Sequence, residues 1–280
     1  MVKEYMLVGA IAFIMDNKSS GRVIQSVIIA TDLMAYIRES DGLTVSELAE
    51  KTGRTPGTIH THLSTLKQAG FVVQTKQKYK LGPQFLPYGE AVRNNSNLFQ
   101  ASKREVNDLA ENNNECAHLI IEHNGKLFAL YERFGSEAVG VEFHNRKREK
   151  PLDHLHCTAA GKAILAHYPE DRTEQIIGTA EIPQLTPNTI TDRDRLYTEL
   201  DQIRERGFAL ADEEQMEGIR AVGAPIIEGE KGVVGAIALS GPKARFQEEL
   251  FHQELPEKVM EAANICEVNL QSTNLKGRYM

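Results

Sequence analysis

The chain has 280 residues, enough for one large domain or two ordinary ones, and its 41% hydrophobic and 25% charged residues exclude a disordered or fibrous polymer. A net charge of −7, taken alone, argues against a nucleic-acid-binding protein. Three widely spaced cysteines, Cys116, Cys157 and Cys266, argue against a disulfide framework and suit a reducing cytoplasm.

The apolar run MLVGAIAFIM at 6–15 is too short to span a bilayer. It reads as a buried or interfacial segment, or as an upstream extension, so residues 1–21 are set apart; no secretory signal with a cleavage site is expected. Val27, Ile28, Leu33, Met34 and Ile37 predict a first helix. Thr44 then opens T-x-x-E with Glu47, a capping box, and Val45, Leu48 and Ala49 share one face. Gly53 is a helix stop, and two residues later Thr55 offers a new N-cap with Pro56 in the first turn. Ile59, Leu63 and Leu66 fall at i, i+4 and i+7 and face inward. Gly57, Thr61, Ser64 and Gln68 then point outward, Thr58, His60 and Lys67 lie on the flanks, and His62 packs near the apolar side. Gly70 closes this helix, and 71–75 and 78–81 form a two-stranded hairpin around Lys76-Gln77. Three helices and a small hairpin over 22–83 make a winged helix-turn-helix.

Its charge is distinctive. From Lys51 to Gly82 there are six Lys or Arg and no Asp or Glu; removing those six from the chain's 32 bases leaves 26 against 39 acids. A basic head on an acidic body is the footprint of nucleic-acid binding, with protein contact by a winged helix as the alternative. Lys76, Lys78 and Lys80 are available to phosphates, which supply affinity without sequence information. Small polar residues on the third helix suit the major groove, and Arg54 before it is the candidate for a bidentate base contact. The candidate DNA-contacting set is Arg54, Thr55, Pro56, Gly57, Thr58, His60, Thr61, Ser64, Lys67, Lys76 and Lys78.

Residues 84–97 read as a connector helix that breaks at NNSN, and a second domain follows over 98–271, with 272–280 as a tail. A helix starts at Leu98. The strands 117–123 and 126–134 join through Asn124-Gly125 as a hairpin, and 138–143 is a further strand. Helices follow at 158–167, 170–177 and 192–207, strands at 208–212, 222–228 and 232–241, and a last helix from about 247 to 270. Antiparallel strands flanked by helices give an α+β fold. Thr158-Ala-Ala-Gly161 places small residues at a helix start, where exposed N–H groups and the dipole favour an anion such as a carboxylate. Tight helix-on-sheet packing uses the same residues, and spacing leaves the two readings level.

IQSV (24–27), LTVSELAEKTG, TIHTHLSTLKQAGFV and YKLGP (79–83) in the head, then HLHCTAAGKAIL (154–165), LTPNTITD (185–192), IRERGFALADEE (203–214), EGIRAVGAPI (217–226) and GAIALSGP (235–242), occur in order across the chain. Together they resemble the IclR family of transcription regulators. The resemblance implies a GAF-like effector-binding domain. It also implies an effector pocket formed by Thr158, Ala159, Ala160 and Gly161 with Asp212, Ala221, Ala238 and Ser240. Members often carry Cys or Ser where this chain has Ala221, and Ser where it has Ala238, so the pocket here is less polar.

Other chemistry finds less support. His154, His156 and Cys157 lie close in sequence, but no matched second cluster completes a metal site, and His118 and His144 join only if the fold brings them near. No metal and no cofactor is expected. Adjacent His156 and Cys157 are poorly spaced for a nucleophile and its base. The acidic run 212–214 reads as a solvated loop, and no Walker-type phosphate loop occurs. The expected function is therefore effector-controlled binding to operator DNA in the cytoplasm. The expected partners are double-stranded operator DNA and an organic acid, acting on a homodimer or a dimer of dimers. A metabolic enzyme or ligand carrier with an accessory winged helix is the other reading. The apolar faces of the first helix and the connector are candidates for the dimer surface.

Overall fold

Every turn and cap signal read between Thr44 and Gly70 forms in the structure, a computed structural model that describes residues 22–139, 152–178 and 180–278, with side chains to residue 272. Helix α1 (Gln25–Arg38) leads to α2 (Val45–Thr52), whose capping box is complete: Thr44 N–H donates to Glu47 Oε2 at 2.7 Å, and Glu47 N–H to Thr44 Oγ1 at 3.3 Å. Gly53 ends α2 at φ 65°, a left-handed conformation in which a side chain is strained. Thr55 caps α3 (Pro56–Gln68) by accepting from Thr58 N–H. The wing is β1 (Val72–Thr75) paired antiparallel with β2 (Lys78–Leu81), and Lys76 takes φ 58° at its turn.

Ile29, Leu33, Ile37, Leu48, Ile59, Leu63, Leu66, Val72 and Tyr79 form the core of this first unit, Met1–Tyr88. The α1 face is the expected one at Leu33 and Ile37, with Ile28 and Met34 half-buried, but not at Val27. Ile29, Leu33 and Ile37, spaced by four, point inward, while Val27 is 57% exposed beside exposed Val23 and Ile24. Residues 1–21 lie outside the described residues.

Helix α4 (Phe85–Asn94) carries the boundary to the second unit, Gly89–Met280, and breaks at Asn95; Ser96 then caps α5 (Asn97–Asn113). β3 (Cys116–His123) and β4 (Lys126–Phe134) form the expected hairpin, with both Asn124 (φ 54°) and Gly125 (φ 74°) left-handed, as a two-residue loop requires. The strand expected over 138–143 lies, from residue 140 on, outside the described residues, and Ala138 and Val139 are irregular. Three helices follow, α6 (Ala159–His167), α7 (Glu170–Ile177) and α8 (Arg193–Arg206). Then come β5 (Ala209–Asp212), β6 (Ile219–Ile227) and β7 (Val233–Pro242). A π turn at Leu250–Glu254 opens α9 (Leu255–Arg278), which runs past the expected end near residue 270.

The five strands form one antiparallel sheet in the order β4-β3-β7-β6-β5. Because side chains alternate along a strand, each face has its own core. Leu119, Val222, Ala224, Ile237 and Leu239 pack with α5 and α9, whereas Ile120, Ala209, Ala236 and Ala238 pack with α6 to α8. Among the described residues no helix is long and apolar enough to cross a membrane.

Candidate nucleic-acid interface and effector site

On α3, burial follows the wheel. Ile59, Leu63 and Leu66 are buried, while Pro56, Gly57, His60, Thr61, Ser64, Lys67 and Gln68 are exposed, with Thr55 exposed just before them. Thr58 and Arg54 are half-buried. Several hydroxyls are already oriented. Thr61 Oγ1 donates to Gly57 O at 3.0 Å, which leaves its lone pairs outward as acceptors, and Thr55 and Thr58 hydroxyls lie 2.9 Å apart. His62 is half-buried with Nδ1 2.9 Å from Thr58 O, a packing position. The wing is tied to the helix, since Lys67 Nζ donates to Gln74 Oε1 at 3.0 Å. Lys76 and Lys78 are exposed at the wing. Lys80, expected to be available to phosphates, instead pairs with Asp41 Oδ1 at 2.6 Å.

The second candidate site lies on the sheet face beneath α6. Strand register sets residues in cross-sheet rows. One row is Ala209, Gly223, Ala238, His118 and Glu132; the next is Ala211, Ala221, Ser240 and Cys116. A Cβ on Gly223 would come within 2.7 Å of Ala159 C, so β6 passes directly under the start of α6. Gly161 is equally constrained, because a Cβ there would meet Leu155 O at 2.3 Å. The tight-packing reading of the small residues therefore holds in part. Thr158 Oγ1 accepts from Gly161 N–H at 3.0 Å, while the N–H groups of Ala159 and Ala160, both buried, make no hydrogen bond within the described residues. Two orphan N–H groups at a helix start are an anion-directed feature.

Thr158, Ala159, Ala160, Gly161, Ala221, Ala238 and Ser240 thus gather on one side of the sheet. Asp212 does not join them. Its register partner is Arg220, which faces the α5–α9 side, and its two oxygens accept from Arg220 Nε at 2.7 Å and Nη2 at 3.0 Å. Arg220 is itself fixed over the Phe251 ring, 4.6 Å from its centre, and donates to Phe246 O. Strand phase is the cause: Ala211 and Ala221 face α6, so Asp212 and Arg220 face away. The acidic run is only partly solvated, and all three of its carboxylates are paired. Glu213 pairs with Lys243, and Glu214, buried, accepts from fully buried Lys162 at 2.5 Å.

A polar group built on His118, which the sequence raised only as a possible partner of the His154 cluster, completes this face. His118 Nε2 lies 2.7 Å from Ser240 Oγ, and its Nδ1 lies 2.6 Å from Glu132 Oε1 and 3.9 Å from Cys116 Sγ. Burial alone would depress the imidazole, but the neighbouring Cys116 and Glu132 outweigh it and push His118 up to about 10. The three neighbours in sequence His154, His156 and Cys157 turn to separate partners. The His154 and His156 rings meet edge to face at 5.8 Å, Cys157 Sγ donates to His154 O, and His156 Nε2 lies 3.2 Å from Pro183 O. Burial lowers the pKa of both histidines. His144 lies outside the described residues.

Residues 90–267 match the profile of the bacterial transcriptional regulator IclR C-terminal domain, and residues 26–76 match the IclR helix-turn-helix domain. The chain belongs to the IclR family of transcriptional regulators. Among curated relatives it is 40% identical to the probable HTH-type transcriptional regulator ArcR of Halobacterium salinarum, over 91% of this chain and 97% of that protein. It is 30% identical to BhcR of Paracoccus denitrificans, over 84% and 83%. Of solved structures, IclR of Thermotoga maritima superposes with a TM-score of 0.69 at 28% identity, covering 88% of this chain and 98% of that one. An IclR homolog of Microbacterium hydrocarbonoxydans, solved with 4-hydroxybenzoate, shares the fold with a TM-score of 0.74 at 18% identity, covering 89% and 100%. As an IclR-family regulator the chain carries a helix-turn-helix DNA-binding domain and belongs with transcription factors rather than enzymes. Within that frame, His118 and Glu132 are polar residues of the sheet face beneath α6 that sequence motifs missed. The one available signal was the alternation of Cys116 and His118 with apolar Ala117 and Leu119 along β3.

Proposed function

We propose that this IclR-family regulator binds operator DNA through α3 and the wing, and that a small carboxylate-bearing effector bound beneath α6 controls that binding. The observation that carries the effector reading is the pair of buried, unpartnered N–H groups of Ala159 and Ala160 above a floor of Gly223, Ala238 and Ser240. A carboxylate would satisfy both donors with help from the helix dipole. Ala221 and Ala238 keep that floor apolar, so the effector class extends to acids with an apolar body. A protein of this fold holds 4-hydroxybenzoate, which makes aromatic and aliphatic acids the first compounds to test.

For DNA, the exposed, carboxylate-free surface from Arg54 to Lys78 supports groove reading by Thr55, Pro56, Gly57, Thr58, His60, Thr61 and Ser64. Lys67, Lys76 and Lys78 add phosphate contact, and Arg54 a base contact. One head offers few contacts, so specific binding calls for a homodimer or dimer of dimers on a two-fold operator. Val23 and Ile24 just before α1, Val27 on it, and Leu86, Tyr88 and Val92 on α4 are exposed apolar side chains suited to that interface. The site of action is the cytoplasm. The test is selection of a binding sequence from a random DNA pool, followed by gel shift with an organic-acid panel. Saturable sequence-specific binding that an acid shifts is expected; a selected operator whose affinity no acid alters would remove the effector half of the reading.

A further inference from the structure

We propose that Arg93 is a positioning residue that locks the connector helix α4 to the C-terminal unit, and that this lock sets which spacing of operator half-sites the regulator accepts. The role rests on operator binding by a dimer. Eight of the ten residues of α4 are exposed and none is buried. The two that are half-buried, Phe85 and Arg93, stand at its opposite ends. At the first turn the Phe85 and Tyr88 rings lie 5.2 Å and 5.6 Å from the ring of Phe71, within the N-terminal unit. At the last turn Arg93 Nε donates to Leu130 O of β4 at 3.0 Å, within the C-terminal unit. A helix this short is marginal in water by itself, and Pro87 and Gly89 weaken it further, so within one chain its end contacts decide how it is held.

The sheet prepares Leu130 for that contact. The β3–β4 register steps from Leu119–Tyr131 to Ile120–Ala129, which leaves Leu130 as the extra residue of a β-bulge, with no partner on β3. A bulge bends its strand and re-aims the groups on it. Here the Leu130 side chain is buried in the core, and the arginine takes its carbonyl. Tyr131, next along β4, donates its hydroxyl to Asn107 Oδ1 on α5 at 2.9 Å, and its ring stands 5.4 Å from that of Phe99, so the acceptor's neighbour is tied to α5. Arg93 is held ready as well, since its Nη1 donates to Glu90 Oε1 at 2.6 Å, one turn earlier. The corner after α4 has bonds of its own, from Ser96 N–H to Arg93 O and from Gln100 Nε2 to Asn94 O, both at 3.1 Å, but these stay within the α4–α5 turn. Arg93 reaches past that corner to the sheet, so the angle at which α4 leaves the C-terminal unit is set by this side chain.

The experiment uses the full-length chain and an operator that the wild type selects from a random DNA pool, its centre then lengthened by one and by two base pairs. Each added pair turns one half-site by roughly 35° relative to the other, a rotation that a locked connector does not follow. The wild type is expected to lose about tenfold or more in affinity at the first added pair, and Arg93→Met less than about threefold. A merely destabilised protein would lose affinity for all spacings alike. On the DNA-free chain, hydrogen exchange at the amides of residues 91–96 should be roughly fivefold or more faster in Arg93→Met, with β6 and β7 unchanged as the check that the unit stays folded. Arg133→Met removes another arginine of β4, one that pairs with Glu111 on α5, and should keep the wild-type result in both measurements. A wild type indifferent to spacing, an Arg93→Met variant as selective as the wild type, equal tolerance in Arg133→Met, or unchanged exchange at 91–96 would each overturn the role. If the wild type selects no operator, it is operator binding that fails, and the exchange arm still decides whether Arg93 holds α4.

Discussion

Lys162 is 1% exposed within α6, and its charge is met by Glu214 at 2.5 Å and Glu199 at 3.9 Å. Burial pushes the Glu214 carboxyl up, and Lys162 beside it pulls it back. Removing one partner of a buried pair leaves the other charge uncompensated, which costs about 3–5 kcal/mol, while replacing both by apolar groups is often neutral. Lys162→Met is therefore expected to lower the unfolding free energy of the C-terminal unit, measured by urea denaturation, by that amount, and Lys162→Met with Glu214→Leu to recover most of it. The same scale distinguishes two residues of the expected pocket. Asp212→Asn should leave effector affinity within about twofold, because its side chain is held by Arg220 on the far face. Ala221→Leu, which adds bulk to the near face, should reduce affinity tenfold or more; calorimetry of both variants checks the pair. The sequence motif contained Asp212 and Ala221 alike. What it did not contain was strand phase, since the placement of β5 in the sheet decides which face each residue takes.

At the scale of elements, α3 is the proposed reading surface, and its outer side is exposed and polar. Thr61 is exposed at its middle, and its hydroxyl bonds only within the helix, to Gly57 O. Thr61→Glu brings a carboxylate against phosphates, a like-charge contact costing several kcal/mol, so operator affinity should fall by about 100-fold or more. The melting temperature should stay within a few degrees, and gel shift beside thermal melting measures both. Normal operator binding by this variant would remove α3 as the reading element. Elements of this kind were legible because their signals are local. Thr44 and Glu47, Gly53, Thr55 and Pro56 are bounded by bonds three to five residues long, and each formed as read. On α1 only the first turn was misread, Val27 being taken in place of Ile29, because Val27 and Ile28 are as apolar as Ile29 and only the packing of Leu48, Ile59 and Leu63 selects among them. The His118 group was not legible for the opposite reason. Its partners lie 14 and 122 residues away, at Glu132 and Ser240, and no local periodicity encodes a cross-sheet row.

For the whole molecule the decisive quantity is linkage between the acidic body and its basic head. Each phosphate neutralised adds about −0.9 to the slope of log affinity against log salt, so Lys76→Gln with Lys78→Gln should flatten that slope by roughly 2 per head. On the proposed reading those lysines set how tightly DNA is held and carry no information about the effector. An effector acts only by binding two arrangements of the regulator with different affinity. Thermodynamics then makes the effect reciprocal: if an acid changes operator affinity by a factor, operator DNA changes the acid's affinity by the same factor. For a coupling of about 1–3 kcal/mol the factor is roughly 5–150. Calorimetric titration of the acid into free protein and into the saturated operator complex should give two affinities whose ratio equals the gel-shift ratio, measured at one salt concentration. Equal affinities in the two titrations, for an acid that binds beneath α6, would mean that the proposed site at Ala159 and Ala160 binds a ligand without control over the head.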